Sequence, residues 1–239
     1  MILEGHISVK AAILGGHRTL SCLYVDEKKR DRELSFIIAK AKEKNIPIQR
    51  MKREELDRLA QGKTHGGVLC EASSRQYDAE AVLTRSSCPF LVLLEGVEDP
   101  YNLGYVIRSL YAGGCTGLIL RRREWNDAEA VILRSSAGAY EYLPIVMSYE
   151  PAELVHRLKA DGIHTFAAYR KDASALYDND FRGPTLLAIG GEMRGLSTAV
   201  LQECETNIYI PYANDFRNAL NAAGASAVLA FEVMRQRML

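Results

Sequence analysis

Three short stretches of this 239-residue chain carry residues that could do chemistry. The first reads Glu95-Gly96-Val97-Glu98-Asp99-Pro100-Tyr101-Asn102-Leu103-Gly104-Tyr105-Val106-Ile107-Arg108. Asp99-Pro100 starts a turn, and Asn102 and Arg108 are spaced near enough to two helical turns that their side chains point in loosely similar directions. They could form a ligand-facing pair; equally, Asn102 could cap the helix and Arg108 be a surface charge. The second stretch is Ile189-Gly190-Gly191-Glu192-Met193-Arg194-Gly195-Leu196-Ser197, whose glycines let backbone come close to a ligand. It has neither the Gly-x-Gly-x-x-Gly spacing of dinucleotide-binding folds nor the Lys-Ser/Thr pair of a Walker loop, so nicotinamide and nucleoside-triphosphate chemistry are disfavoured. A purely structural turn fits it equally well. The third runs from Ile208-Tyr209-Ile210-Pro211-Tyr212 through Ala213-Asn214-Asp215-Phe216-Arg217-Asn218 to Ala219-Leu220-Asn221-Ala222, with small residues dominating after Leu220. Such a face permits close backbone packing, against another helix or around a threaded loop.

The elements around these stretches form two series. In the first 75 residues, helical signals at 7–14, 32–44 and 54–60 alternate with strand-like runs at 20–25, 46–50 and 67–71. Such alternation means a compact α/β unit. Residues 76–88 read as a polar linker, with room for one helical turn, that ends just before Pro89. From Phe90 onward, strands are predicted at 90–95, 117–120, 143–147, 164–168, 185–190 and 207–210. Helices are predicted at 103–112, 128–134, 152–161, 196–203 and 219–237. These strands are apolar throughout, as expected when helices cover both faces of a parallel sheet. The fold class is therefore α/β, with domains at 1–75 and 89–239. In such sheets ligands bind outside the carboxyl ends of the strands, which directs attention to the loops after Glu95, Gly190 and Ile210.

Composition narrows the function class. No apolar run approaches the ~20 residues that span a bilayer, and Met1–His6 lacks the form of a secretion signal, so a cytoplasmic protein is expected. Five widely spaced cysteines without a Cys-x-x-Cys pair suit neither a disulfide framework nor a zinc site, and five histidines show no ligand spacing, so no metal is expected. The net charge is zero but segregated: residues 1–75 hold 15 Lys and Arg against 10 Asp and Glu, and residues 76–239 hold 15 against 20. A basic N-terminal part is either an ordinary solvated surface or the footprint of a polyanion.

The order and spacing of the three stretches together resemble the SpoU/TrmH family of RNA ribose methyltransferases. The match covers Asp-Pro-x-Asn-Leu-Gly followed by Arg, then Gly-x-Glu-x-x-Gly-Leu-Ser, then Ile-Pro followed by Leu-Asn before a terminal helix, over about residues 90–237. Residues 1–75, with Thr64-His65-Gly66-Gly67-Val68, resemble the ribosomal-protein-like substrate-binding domain of many members. The resemblance implies a C-terminal trefoil knot, a homodimer, S-adenosylmethionine as cofactor and structured RNA as partner, ribosomal RNA in preference to transfer RNA. By motif position it implies Gly190, Ile210 and Leu220 at the cofactor, and Arg108, Asn102, Glu192 and Asn221 around the reacting groups. Because a guanidinium is hard to deprotonate, Arg108 is expected to stabilise charge rather than to act as base. Two departures stand out. Ala219 occupies a position usually held by Ser, and Ala213-Asn214-Asp215 replaces a Gly with one apparent extra residue. They leave a catalytically silent RNA-binding protein of the same fold as the competing reading.

Overall fold

In the computed structural model every residue is described except 63, 193, 216, 217 and 239, so Met193 of the second stretch and Phe216 and Arg217 of the third lie outside the described residues. Packing groups the chain into two units: Met1–Gln76 with Trp125–Tyr142, and Tyr77–Glu124 with Leu143–Leu239. A linear division at 76–88 does not anticipate that residues 125–142 pack with the N-terminal unit.

The first unit contains β1 (Ile2–Glu4), α1 (Gly5–Gly15), β2 (Leu20–Asp26), α2 (Arg32–Glu43), β3 (Ile48–Met51), α3 (Arg53–Leu59) and β4 (Val68–Ala72). The sheet order is β1-β4-β2-β3, with β2 and β3 parallel and the other pairs antiparallel. Helix α2 starts where Asp31 accepts a hydrogen bond from the Leu34 N–H at 2.7 Å, satisfying one of the first turn's unpaired donors. Strand β1 was not predicted: three residues are too few to show a period, and it exists because Leu3 pairs with Cys70 on β4. Residues 125–142 pack on α1 through Gly138, which lies against Ala11 and Ile7, and are tied in by a buried polar cluster. Arg18 is buried and bonds Glu129 and Glu141 at 2.6 Å each, with both carboxylates buried as well. Burial works against the Arg18 charge, but the two carboxylates outweigh it and raise its pKa. Arg75 closes the cluster, donating its backbone N–H to Glu129 and its Nε to the Tyr140 carbonyl.

The second unit continues with β5 (Phe90–Glu95), α4 (Pro100–Ala112), β6 (Gly117–Arg121), β7 (Ile145–Ser148), α6 (Pro151–Ala160), β8 (His164–Ala168), β9 (Ala173–Ala175), β10 (Thr185–Gly190), α7 (Thr198–Glu203), β11 (Thr206–Tyr209) and α8 (Ala222–Arg237); α5 (Glu129–Ser135) lies in the segment that joins the first unit. All seven strands are parallel to their neighbours in the order β7-β6-β5-β10-β8-β11-β9. Leu91, Leu93, Leu186 and Ala188 pack with Leu154, Val155 and Leu158 of α6 and Val200 of α7. Strand alternation turns Leu187 and Ile189 the other way, where α8 packs on β10 and on α4. The sheet is thus covered on both faces, which is why its strands lack polar alternation.

Several boundaries move for identifiable reasons. Helix α4 begins at Pro100, because Asp99 caps it and proline suits the first helical position. Helix α8 begins at Ala222 rather than 219, because Asn221 is its cap. Helix α7 begins at Thr198 rather than 196, because Ser197 is its cap. Strand β9, three residues of Ala-Ser-Ala, carried no strand signal and forms only as an edge beside β11. Among the described residues no helix is long and apolar enough to cross a membrane.

Candidate active site

Strand β10 lies between β5 and β8, and its last residue, Gly190, is in register with Glu95 at the end of β5. The chain then turns tightly: the Gly191 N–H donates to the Glu95 carbonyl at 2.6 Å, and the Gly195 N–H donates to the Gly191 carbonyl at 3.0 Å. Both glycines are sterically required. A Cβ on Gly190 would lie 2.6 Å from the Gly195 carbonyl carbon and the Leu196 nitrogen, and one on Gly191 would overlap the Gly96 carbonyl. Beneath this turn the Glu95 side chain is 3% exposed and accepts from the Ser197 N–H at 2.8 Å and the Ser197 hydroxyl at 3.3 Å. Glu95 therefore ties the end of β5 to the start of α7, a positioning role that reading the sequence missed because the residue ends an apolar run.

At the carboxyl ends of β8, β10 and β11 this arrangement leaves a cleft of about 780 Å³. Gly190, Gly191 and Gly195 give it backbone walls. Ile189, Leu196, Leu201, Ile208, Ile210 and Leu229 give it apolar ones. Tyr169, Arg170, Tyr209 and Tyr212 also line it, and Ala219, Leu220, Ala222 and Ala225 close one side. The small residues that looked suited to close packing thus also make room in the cleft. The Tyr212 hydroxyl accepts from the Leu220 N–H at 3.0 Å, and the Arg170 guanidinium lies over the Tyr212 ring at 4.8 Å. Neither Tyr169, Arg170 nor Tyr212 was singled out from sequence, since no local spacing links them.

The seven sequence-selected residues separate into two groups. Gly190, Ile210, Leu220 and Glu192 line the cleft, with Glu192 exposed at its rim. Asn102, Arg108 and Asn221 do not line it. The suggestion that Asn102 caps its helix is corrected: Asp99 is the cap, and Asn102 supplies the backbone N–H that Asp99 accepts at 2.9 Å. Asn221 has a capping role of its own, accepting from the Gly224 N–H at 2.8 Å. Arg108 is exposed on α4, and its side chain has no ion-pair or hydrogen-bond partner among the described residues. Among those residues, no group of three His, Cys, Asp or Glu side chains could hold a metal ion.

The sequence profile of the SpoU rRNA Methylase family matches residues 89–231, and that of an RNA 2′-O ribose methyltransferase substrate-binding domain matches residues 2–78. The 23S rRNA (guanosine-2′-O-)-methyltransferase RlmB of Yersinia pestis is 30% identical over 242 residues, covering 100% of this chain and 98% of its own. That of Shewanella oneidensis is 28% identical over 240 residues, covering 99% and 97%. The crystal structure of the SpoU methyltransferase AviRb from Streptomyces viridochromogenes in complex with the cofactor AdoMet matches with a TM-score of 0.79 and 26% identity, covering 100% of this chain and 90% of that one. A parallel-sheet unit with a backbone-walled cleft, joined to an α/β substrate-binding unit, defines the class of two-domain RNA methyltransferases. This chain belongs to the SpoU rRNA methylase family.

Proposed function

We propose that the protein transfers a methyl group from S-adenosylmethionine to a ribose 2′-hydroxyl of ribosomal RNA, in the cytoplasm. The observation that carries this reading is the cleft at the ends of β8, β10 and β11, whose backbone and apolar walls suit an adenosine, with the charged Glu192, Arg170 and Arg194 left for the cofactor's amino-acid end. Gly190 and Ile210 would hold the adenosine part through backbone groups. The Leu220 N–H is already given to Tyr212, so its carbonyl is the backbone group left for the cofactor. When bound, S-adenosylmethionine supplies a methyl group on a sulfonium, open to in-line attack by the ribose oxygen.

What the chain must add is orientation of the ribose and stabilisation of the negative charge that develops as its hydroxyl loses a proton. Arg108 suits the second task, with a fixed positive charge and a planar fork that can span phosphate and ribose oxygens. Glu192 and Asn102 would orient it, and Asn221 would hold the start of α8 beside Leu220. Arg108 lies outside the lining of its own chain's cleft, which supports a homodimer in which it serves the partner's site. Tyr101 and Tyr105, at helical spacing from Arg108, are 54% and 47% exposed, and Phe231 on the neighbouring α8 is 45% exposed; an aromatic face of this kind suits a two-fold contact. A trefoil knot through the segments after β10 and β11 belongs to the same reading. Against the silent alternative stand the backbone-walled cleft and the retention of Asn102, Arg108 and Glu192 despite Ala219.

The test is methyl transfer itself. Unmodified 23S rRNA transcript, incubated with the protein and methyl-labelled S-adenosylmethionine, should yield a labelled 2′-O-methylnucleoside after digestion. Absence of cofactor binding by calorimetry at millimolar concentration would eliminate the reading in favour of silent RNA binding.

A further inference from the structure

Two cations line the cleft, and they are held differently. Arg170 follows β8, the strand beside β10, so it leaves the carboxyl edge of the sheet next to the strand that carries Gly190. Its guanidinium lies over the Tyr212 ring at 4.8 Å, and the Tyr212 hydroxyl is itself fixed by the Leu220 N–H at 3.0 Å. Arg194, the other cation of the lining, has no such shelf among the described residues. Resting on the proposed function, we infer that Arg170 grips the carboxylate at the cofactor's amino-acid end, and that Tyr212 is the positioning residue that aims it.

The charge on Arg170 is unmet by the chain. Its side chain is exposed, no carboxylate pairs with it among the described residues, and none of the undescribed side chains is acidic. The ring restrains the guanidinium before a ligand arrives, while its fork of N–H donors still needs acceptors. A carboxylate is the group whose two oxygens match that fork. The shelf also fixes a distance. Because the Tyr212 hydroxyl is bonded to the backbone of Leu220, one hydrogen bond joins the carboxylate grip to the wall proposed for the adenosine part, and both ends of one ligand are held at a set separation. A chain without the Tyr212 ring would have to order a free arginine side chain each time the cofactor binds.

The test titrates S-adenosylhomocysteine and its decarboxylated analogue into the full-length protein by calorimetry. The analogue keeps the adenosine, the sulfur and the ammonium and lacks only the carboxylate. The unaltered protein should bind S-adenosylhomocysteine about tenfold more tightly than the analogue, as a charge-assisted pair demands. Arg170→Ala should abolish that preference by weakening S-adenosylhomocysteine alone, with the unfolding midpoint unchanged because the side chain is exposed. Tyr212→Ala removes the shelf and should shrink the preference, whereas Tyr212→Phe keeps the ring and should keep the preference while weakening both ligands alike. A merely structural role for either residue would move both affinities together and leave their ratio fixed. Equal affinity of the unaltered protein for the two ligands, a preference that survives Arg170→Ala or is undiminished in Tyr212→Ala, or one that disappears instead in Arg194→Ala, overturns the inference while the methyltransferase reading stands. Failure of S-adenosylhomocysteine to bind the unaltered protein overturns both.

Discussion

In the proposed reaction, Arg108 is the residue on which the chemistry turns. If it stabilises developing charge, Arg108→Ala should lower turnover about a hundredfold or more with S-adenosylmethionine affinity unchanged, and Arg108→Lys should restore little, because an ammonium lacks the planar fork. Single-turnover rates near those of the unaltered enzyme would remove Arg108 from the catalytic role and leave Glu192 and Asn221 as the candidates. The cysteines give a second expectation. Burial pushes the Cys70, Cys115 and Cys204 thiols up to about 12, so in the folded protein at pH 8 these three should resist iodoacetamide and react only on unfolding, as mass spectrometry of the alkylated peptides would show. Residue types and spacing made the glycine wall of the cleft legible, since glycine at 190 and 191 is demanded by backbone that does come within contact. The aromatic and arginine wall was not legible: Tyr169 and Arg170 follow β8 while Tyr212 follows β11, and only the pairing of those strands brings them to one cleft.

Helices and strands were readable wherever local chemistry dictated them. The apolar runs of β5, β8 and β10 announce buried parallel strands, whereas Asp99-Pro100, read as a turn, is the cap and first residue of α4. Elements formed by a neighbour's demand, β1 and β9, were not readable, because three residues hold no period. At this scale the β10 turn and the α8 cap separate cofactor binding from stability. Gly190→Ala must push the 195–196 backbone away and should weaken S-adenosylmethionine binding by about tenfold or more in calorimetry. Asn221→Ala removes the cap of α8 and should cost about 1 kcal/mol in denaturant unfolding. A loss of turnover much larger than that stability change would mark Asn221 as a participant in the reaction as well.

The charge imbalance between the two parts of the chain has structural detail behind it. Lys29 is not free for RNA, because its ammonium is held at 2.6 Å by the Gly66 carbonyl and at 3.3 Å by Asp31. Arg30 likewise donates to the Glu27 and Lys29 carbonyls at 2.7 Å each. Neutralising Lys28 should therefore flatten the salt dependence of RNA binding without altering the chemical step at saturating RNA, whereas altering Lys29 or Arg30 should also loosen the fold of their own unit. The Arg18 cluster was invisible in the sequence, where Glu129 and Glu141 stand more than a hundred residues from Arg18. Removing one partner of a buried set leaves uncompensated charge, so Glu141→Ala should destabilise the protein by about 3–5 kcal/mol, to be read from its unfolding midpoint. The same cluster sets a timetable for synthesis. Domains usually complete their folding in order as the chain leaves the ribosome. Here the N-terminal unit holds an arginine whose two counter-charges are encoded far downstream, so it cannot reach its final core until residue 141 has emerged, by which time β5, α4 and β6 of the other unit are already outside. The two units must mature together, and a nascent chain arrested before Glu129 should remain open to protease at its N-terminal part.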